Sequence, residues 1–286
     1  MPIAAIALDF DPILRLGVVT IRWQAVALTG VILVALVLTA VVARAGRLRP
    51  DDLLFLAVGV VPGAVIGGRL AYVLAHADFY AATPAAIFDP AQGAANLSLA
   101  VLGGLVTGSV VARLLGTPVR PWLHAATVPL ILALGLGKLA MLLAGTGQGV
   151  PAEADWATSF VGPGPWGSLA ADVPSHPSQV YEGLATLFVA LLAAATLARV
   201  AGRAPSGRIF LLCVAGWAVV RFVIGFTWRD APVLGPLRVE QLLTLLVLGV
   251  CAGLILVRPS GHAAADADHS GAAGPIWPDP ASRPRF

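Results

Sequence analysis

Seven long apolar runs are the feature of this sequence that most restricts how the chain can fold. Each run is long enough, or nearly so, to cross the ~30 Å hydrocarbon core of a bilayer as a helix. The runs are residues 23–42, 53–74, 97–111, 122–143, 180–197, 209–226 and 239–257. Only 12% of the 286 residues are charged and the mean hydropathy is +0.87, whereas a soluble protein has about 25% charged residues. The sequence therefore predicts an all-α, polytopic membrane protein and excludes a soluble one.

The distribution of basic residues predicts the orientation of this bundle. Of the 18 Lys and Arg residues, those that follow the first, third, fifth and seventh runs are Arg44, Arg47, Arg49, Arg113, Arg120, Arg199, Arg203, Arg208, Arg258, Arg283 and Arg285. Because cytoplasmic loops are enriched in Lys and Arg, we expect the N-terminus outside and the C-terminus in the cytoplasm. The connection 144–178 has no Lys or Arg and is expected to face outward. We expect one transmembrane domain, residues 1–257, and a disordered cytoplasmic tail, residues 258–286.

Three basic residues, Arg69, Lys138 and Arg221, lie inside the apolar runs. A charge at the centre of a bilayer costs at least ~2.5 kcal/mol, so it normally faces a partner or a wet cavity. One interpretation is structural: each side chain snorkels to the interface or pairs with a carboxylate for packing. All three fall in the outer halves of their helices with few acidic residues nearby, which favours a shared site for an anion such as phosphate. Tyr72, three positions after Arg69, lies on the same helical face.

The string His-Pro-Ser-Gln-Val-Tyr-Glu at 176–182 has two interpretations. The first is a helix start, because Pro177 suits the first helical turn and Gln179 can reach back as in a capping box. The second is a binding site, because a helix N-terminus presents N–H donors and a positive dipole to an anion. Glu182 then lies one turn deeper, where it can orient a cationic partner.

These residues together resemble the prolipoprotein diacylglyceryl transferase family, bacterial membrane enzymes that lipidate exported preproteins. The resemblance runs from about Phe10 to Leu256, and the string at 176–182 is its most specific part. It is carried by Phe10-Asp11-Pro12, Ile21-Arg22-Trp23, Gly67-Gly68-Arg69-Leu70-Ala71-Tyr72-Val73-Leu74, His176-Pro177-Ser178-Gln179-Val180-Tyr181-Glu182, Arg221-Phe222-Val223 and Glu240-Gln241-Leu242-Leu243.

The resemblance implies transfer of a diacylglyceryl group from phosphatidylglycerol to the cysteine thiol of a prolipoprotein signal peptide. The reaction needs thiol deprotonation and positive charge near the leaving phosphate. It implies the bacterial plasma membrane, no cofactor or metal, and no nucleic acid partner. By this resemblance the catalytic residues are Arg221, His176 and Glu182, and the residues that contact the phospholipid are Lys138, Arg69, Tyr72 and Gln179.

Several positions depart from the family pattern. Lys138 stands where the family has an arginine, Leu102 stands where it has the histidine of a His-Gly-Gly motif, and Gly225 stands where it has a glutamate after Arg221. Met141 and Ala144 stand where the family has the two asparagines that follow the first of these arginines. These departures leave two main alternatives: an active transferase in which His176 or His76 replaces the missing base, or a non-catalytic relative that binds anionic phospholipid or prolipoprotein. A transporter or another lipid-modifying activity is a third.

Overall fold

Every predicted apolar run forms a helix in the computed structural model, which describes residues 6–89, 95–203, 205 and 207–257. Within these residues seven helices are long and apolar enough to cross a membrane. They are α1 (Trp23–Ala45), α2 (Pro50–Ala75), α4 (Leu97–Leu114), α5 (Val119–Ala140), α6 (Ser178–Arg199), α7 (Arg208–Ile224) and α8 (Val239–Leu256). A short helix, α3 (Ala77–Ala82), follows α2. The predicted all-α bundle is confirmed, and the predicted tail, residues 258–286, lies outside the described residues.

The closest helix pair in the bundle is α2 with α4, and glycines bring the two backbones together. A Cβ atom added to Gly63 would lie 2.0 Å from the carbonyl oxygen of Gly103, and one added to Gly67 would lie 2.2 Å from that of Leu99. Small residues allow membrane helices to approach in this way. The close approach of α2 also fixes the start of α4, where Asn96 caps the helix through the backbone N–H of Ser98. This contact matters because Ser98 belongs to the site described below.

Helix ends that belong to five spans meet at one end of the bundle, which we call the site end. It contains the ends of α5 and α7 and the starts of α4, α6 and α8, as their side-chain contacts show. The opposite end contains the loops 46–49 and 115–118, which line a common cavity. The arginine-rich connections of the sequence therefore lie away from the site end.

Four short strands cover the site end and were not predicted. Strand β1 (Ile6–Leu8) pairs in parallel with β4 (Thr158–Phe160), and β2 (Ile13–Leu16) forms an antiparallel hairpin with β3 (Val19–Arg22). Each strand has three or four residues, too few for a period of two to stand out in the sequence. The chain therefore places its N-terminal segment against a loop between α5 and α6.

That loop, residues 145–177, is folded rather than extended, and we call it the cap loop. Gly162 allows its close approach to the N-terminal segment, because an added Cβ would lie 2.1 Å from the carbonyl oxygen of Phe10. The ring of Trp166 contacts the rings of Phe10 and Phe160 at centroid distances of 5.0 and 4.9 Å. Aromatic contacts of this kind add stability beyond the apolar area that they bury. The cap loop and the N-terminal segment thus form one layer.

Candidate active site

Four charged side chains meet at the site end, and we call them the charge cluster: Lys138, Glu182, Arg221 and Glu240. Lys138 Nζ lies 2.9 Å from Glu182 Oε2, and Arg221 Nη1 donates to Glu182 Oε1 at 2.6 Å. Arg221 Nη2 donates to the carboxylate of Glu240. Buried charges persist in proteins when they are paired in this way. Glu182 pairs with two cations, Lys138 and Arg221, and its predicted role of orienting a cationic partner stays a prediction.

Arg221 is the centre of the charge cluster because its guanidinium contacts three helices besides its own. Its Nε donates to Ser98 Oγ at 3.2 Å, and Ser98 Oγ lies 3.2 Å from Thr244 Oγ1. The guanidinium carbon lies 4.7 Å from the ring centroid of Trp228, a distance at which a cation attracts the face of an aromatic ring. The planar fork of Arg221 is therefore held in one orientation.

The charge cluster carries two cations and two carboxylates, so it is electrically balanced. The expectation that few acidic residues lie near these cations is wrong, because Glu182 and Glu240 contact them. Glu240 lies in the first turn of α8, the third spanning helix after the one that contains Lys138, and nothing in the local sequence relates it to Arg221. The arrangement is an alternating chain of ion pairs, in the order Lys138, Glu182, Arg221 and Glu240, rather than an open positive site.

Gln179 lies beside the charge cluster in the first turn of α6 and is 1% exposed. Neither the oxygen nor the nitrogen of its side-chain amide has a hydrogen-bond partner among the described residues. The predicted capping box is wrong, because Pro177 is the capping residue and no side chain caps α6. Buried amides are nearly always hydrogen-bonded in proteins. An amide without a partner at this place is available to a ligand.

His176 lies where the cap loop enters α6, and its ring contacts Tyr181. Its Nδ1 is 3.3 Å from Tyr181 Oη, which also accepts a hydrogen bond of 2.7 Å from Trp156 Nε1. The backbone of His176 is bonded to Gly149 and Val150. The ring of His176 contacts Tyr181, which directly precedes Glu182 in α6. These ring contacts do not include a member of the charge cluster.

Arg69 and Tyr72 lie near the C-terminal end of α2 and contact a different group of residues. Arg69 donates to the carbonyl oxygens of Ile87 at 2.8 Å and Ala86 at 2.6 Å, and its guanidinium lies 5.3 Å from the ring centroid of Tyr80. Tyr72 stacks on His76 with ring centroids 4.2 Å apart. Among the three basic residues predicted to share a site, the structure brings Lys138 and Arg221 together, whereas these contacts of Arg69 fasten the segment that follows α3.

Arg229 is an organising residue that the sequence analysis missed. Its guanidinium donates to the carbonyl oxygen of Gly149 at 2.6 Å and to the hydroxyls of Ser168 at 2.9 Å and Ser175 at 2.7 Å. These bonds hold the cap loop over the end of α7. Arg229 is one of two arginines in the segment between α7 and α8, the other being Arg238, and this was the available signal.

Comparison with known proteins identifies the family. A model of the prolipoprotein diacylglyceryl transferase family matches residues 12–257. The chain belongs to this family. A member from Methylocella silvestris is 31% identical over 263 residues, which cover 86% of this chain and 92% of the relative. Members from Geobacter sulfurreducens and Trichormus variabilis are 29% and 28% identical, over 87% and 89% of this chain and 96% and 91% of those relatives.

All three relatives are named phosphatidylglycerol–prolipoprotein diacylglyceryl transferase. The predicted resemblance is therefore confirmed, and the family match together with the seven spans makes this chain a multi-pass membrane protein of a transferase family.

The structure explains two of the departures from the diacylglyceryl transferase pattern. Leu102 packs against the apolar core of the bundle, so the surroundings of this position are adapted to a hydrocarbon side chain. An added Cβ at Gly225 would lie 2.7 Å from Gln241 Cγ, so that a glutamate there would displace Gln241. The second carboxylate on Arg221 is that of Glu240, at the start of α8.

Proposed function

We propose that this chain transfers the diacylglyceryl group of phosphatidylglycerol to the cysteine thiol of prolipoprotein signal peptides at the bacterial plasma membrane. The observation that carries the proposal is the charge cluster: a family member keeps two cations and their carboxylates at one end of its membrane helices. Charged groups within a membrane bundle are costly and mark functional sites. The relatives' names supply the reaction.

The proposed roles follow from the chemistry of the leaving group. The glycerol carbon under attack carries a phosphate ester, so charge develops on phosphate oxygens as the bond breaks. Lys138 and Arg221 stabilise that charge, and Glu182 acts as a positioning residue because it holds both cations. Gln179 offers its unpaired amide to the headgroup. Arg69 and Tyr72 stay predicted lipid contacts at the outer end of α2.

The base that deprotonates the thiol is assigned to His176 by the sequence analysis, and that assignment stays a prediction. The ring is half-buried at the site end, and its hydrogen bond to Tyr181 orients it. A general base contributes about 10²–10⁴-fold to a proton transfer. Glu240, whose carboxylate is partly exposed beside Arg221, is a second candidate for this role.

The test of the proposed function is transfer of diacylglycerol to a synthetic signal peptide with a single cysteine by the purified, reconstituted protein. We expect a peptide heavier by one diacylglyceryl group, formed with phosphatidylglycerol and not with phosphatidylcholine. Depletion of the resident transferase in a bacterial strain provides a second readout, because this chain should restore growth. A protein that binds phosphatidylglycerol and lipidates no peptide would instead be the non-catalytic relative.

Substitution of Lys138 tests the phosphate site. Lys138→Ala should weaken binding of phosphatidylglycerol about tenfold, because one charge-assisted contact to the phosphate is lost. Lys138→Arg should keep or improve the affinity, because a guanidinium contacts phosphate with two N–H groups. The measurement is calorimetric titration with a short-chain phosphatidylglycerol, and Arg113→Ala, at the opposite end of α4, is the matched control. Equal affinity in wild type and Lys138→Ala would make Lys138 a structural residue.

Cysteine labelling tests the proposed orientation. Leu169 in the cap loop is fully exposed, and Ala201 is exposed at the opposite end. In a variant that lacks Cys213 and Cys251, an impermeant maleimide added to intact cells should label Leu169→Cys and leave Ala201→Cys unlabelled until the cells are opened. The reverse pattern would place the site end in the cytoplasm.

A further inference from the structure

The guanidinium of Arg221 is almost sealed from its surroundings. Its side chain is 3% exposed, and the groups around it are Glu182, Glu240, Ser98 and the ring of Trp228. A lipid phosphate therefore reaches this guanidinium only after one of these groups moves. The structure distinguishes among the four.

Three of these groups are held firmly and one is not. Glu182 is fully buried between two cations, Ser98 is fully buried and bonded to Thr244, and Trp228 is 7% exposed. The side chain of Glu240 is 21% exposed. Among the described residues, Arg221 is the one hydrogen-bond partner of its carboxylate. Glu240 is thus the group that can swing away from Arg221.

The charges of the cluster also indicate that Glu240 is the group that moves. Two cations with two carboxylates leave no net charge to attract a phosphodiester into an apolar surrounding. Displacement of the Glu182 carboxylate would leave Lys138 and Arg221 to repel each other at close range. Displacement of the Glu240 carboxylate, in contrast, leaves a net positive charge on the remaining three groups, with Lys138 and Arg221 still joined through Glu182.

We propose that Glu240 is a displaceable counter-ion of Arg221 and the proton acceptor for the substrate thiol. The inference rests on the proposed function. The lipid phosphate takes the place of the Glu240 carboxylate on Arg221. The freed carboxylate then accepts the proton of the signal-peptide thiol. Lipid binding thereby creates the base.

The reaction step balances in atoms and charge. The thiol proton moves to a carboxylate oxygen of Glu240, and the sulfur attacks the glycerol carbon that carries the phosphate ester. A carbon–sulfur bond forms as the carbon–oxygen bond breaks, and the electron pair of that bond stays on the phosphate oxygen. Glu240 then returns its proton to the released glycerol phosphate, and its carboxylate pairs again with Arg221.

The charged groups that face Glu240 come from several elements. Arg221 of α7 contacts it directly, and Glu182 of α6 and Lys138 of α5 follow through the ion-pair network. Arg238 precedes it in the chain, with its Nε bonded to the carbonyl oxygen of Asp230. Arg69 of α2 is instead bonded to the segment after α3.

The first measurement is lipid affinity, with dioctanoyl phosphatidylglycerol titrated into the full-length protein in detergent. Glu240→Gln removes the charge that competes with the phosphate, so we expect about tenfold tighter binding than in wild type. Glu240→Asp, which keeps the charge, should bind the lipid like wild type. Glu153→Gln, an exposed carboxylate of the cap loop, is the control and should change nothing. Weaker binding in Glu240→Gln would show that Glu240 holds Arg221 in position for the lipid. It would overturn the proposal that the phosphate displaces Glu240.

The second measurement is transfer to the signal peptide as a function of pH. Glu240→Gln should lower kcat by about 10²–10⁴-fold without raising the KM for lipid, and its residual rate should rise about tenfold per pH unit up to the thiol pKa near 8.5. Glu240→Asp should keep part of the rate. A wild-type kcat in Glu240→Gln, or a loss confined to His176→Ala, would overturn the assignment. A wild-type protein without transfer would overturn the proposed function, while the binding measurement decides the displacement separately.

Discussion

Replacing Arg221 with alanine should abolish diacylglyceryl transfer and destabilise the folded protein by about 3–5 kcal/mol. The substitution removes the shared partner of Glu182 and Glu240, and it leaves Ser98 without its charged donor. It also removes the guanidinium that is proposed to contact the leaving phosphate, a loss that should cost at least about 10²–10³-fold in rate. Lipidated peptide and the thermal unfolding midpoint in detergent are the two readouts.

Arg221→Lys separates the two effects of that substitution. An ammonium keeps one positive charge near Glu182, so most of the stability should return. The planar fork that contacts Glu240 and Ser98, and that is proposed to contact the phosphate in place of Glu240, is lost. We expect a folded protein with a strongly reduced rate. Arg199→Ala removes an exposed arginine at the opposite end of α6 and serves as the control for both readouts. A normal transfer rate in Arg221→Ala would remove Arg221 from the active site.

Replacing Glu182 with glutamine should have the second largest effect, a loss of about 3–5 kcal/mol of folding free energy. Glu182 is fully buried and is the group that separates the charges of Lys138 and Arg221. Without it, two cations share one carboxylate, Glu240, in an apolar surrounding. The expected result is a lower unfolding midpoint, followed through the fluorescence of the tryptophans in detergent.

A second substitution turns this prediction into a double-mutant test. Lys138→Met in the Glu182→Gln background removes the unpaired cation, and Arg221 keeps Glu240 as its partner. We therefore expect the double variant to regain most of the stability lost in Glu182→Gln and to bind phosphatidylglycerol more weakly than wild type, because Lys138 is gone. Losses of stability that simply add would contradict the coupling of these two side chains.

The membrane-spanning part of the fold was predictable because the signal is local. A run of apolar residues must form a helix in a bilayer, where each backbone group needs a partner within its own segment. The predicted bounds agree with the helices within about three residues, from Trp23 at the start of α1 to Leu256 at the end of α8. The strands at the site end have no such local requirement. Strand β1 forms only because it pairs with β4, which lies far along the chain.

The candidate site was predictable only where one residue carries the signal by itself. Lys138 and Arg221 stand out because a charge in an apolar run is rare. Glu182 stands out because it ends the recognisable string at 176–182. Glu240 lies at the start of a helix, where acidic residues are common because they complement the helix dipole, so its position gave no reason to pair it with Arg221. The unpaired amide of Gln179 likewise depends on packing that no spacing encodes.

The pairing of β1 with β4 has a consequence for how the protein is assembled during synthesis. Residues 6–8 leave the ribosome first, but their partners at Thr158–Phe160 follow only after α5, the fourth spanning helix, has been inserted. In the proposed orientation the N-terminal segment thus waits outside the membrane with an unpaired edge while half of the chain is still being made. Contacts between such distant segments form slowly. The layer over the site end is therefore completed late, after the translocation machinery has delivered the cap loop.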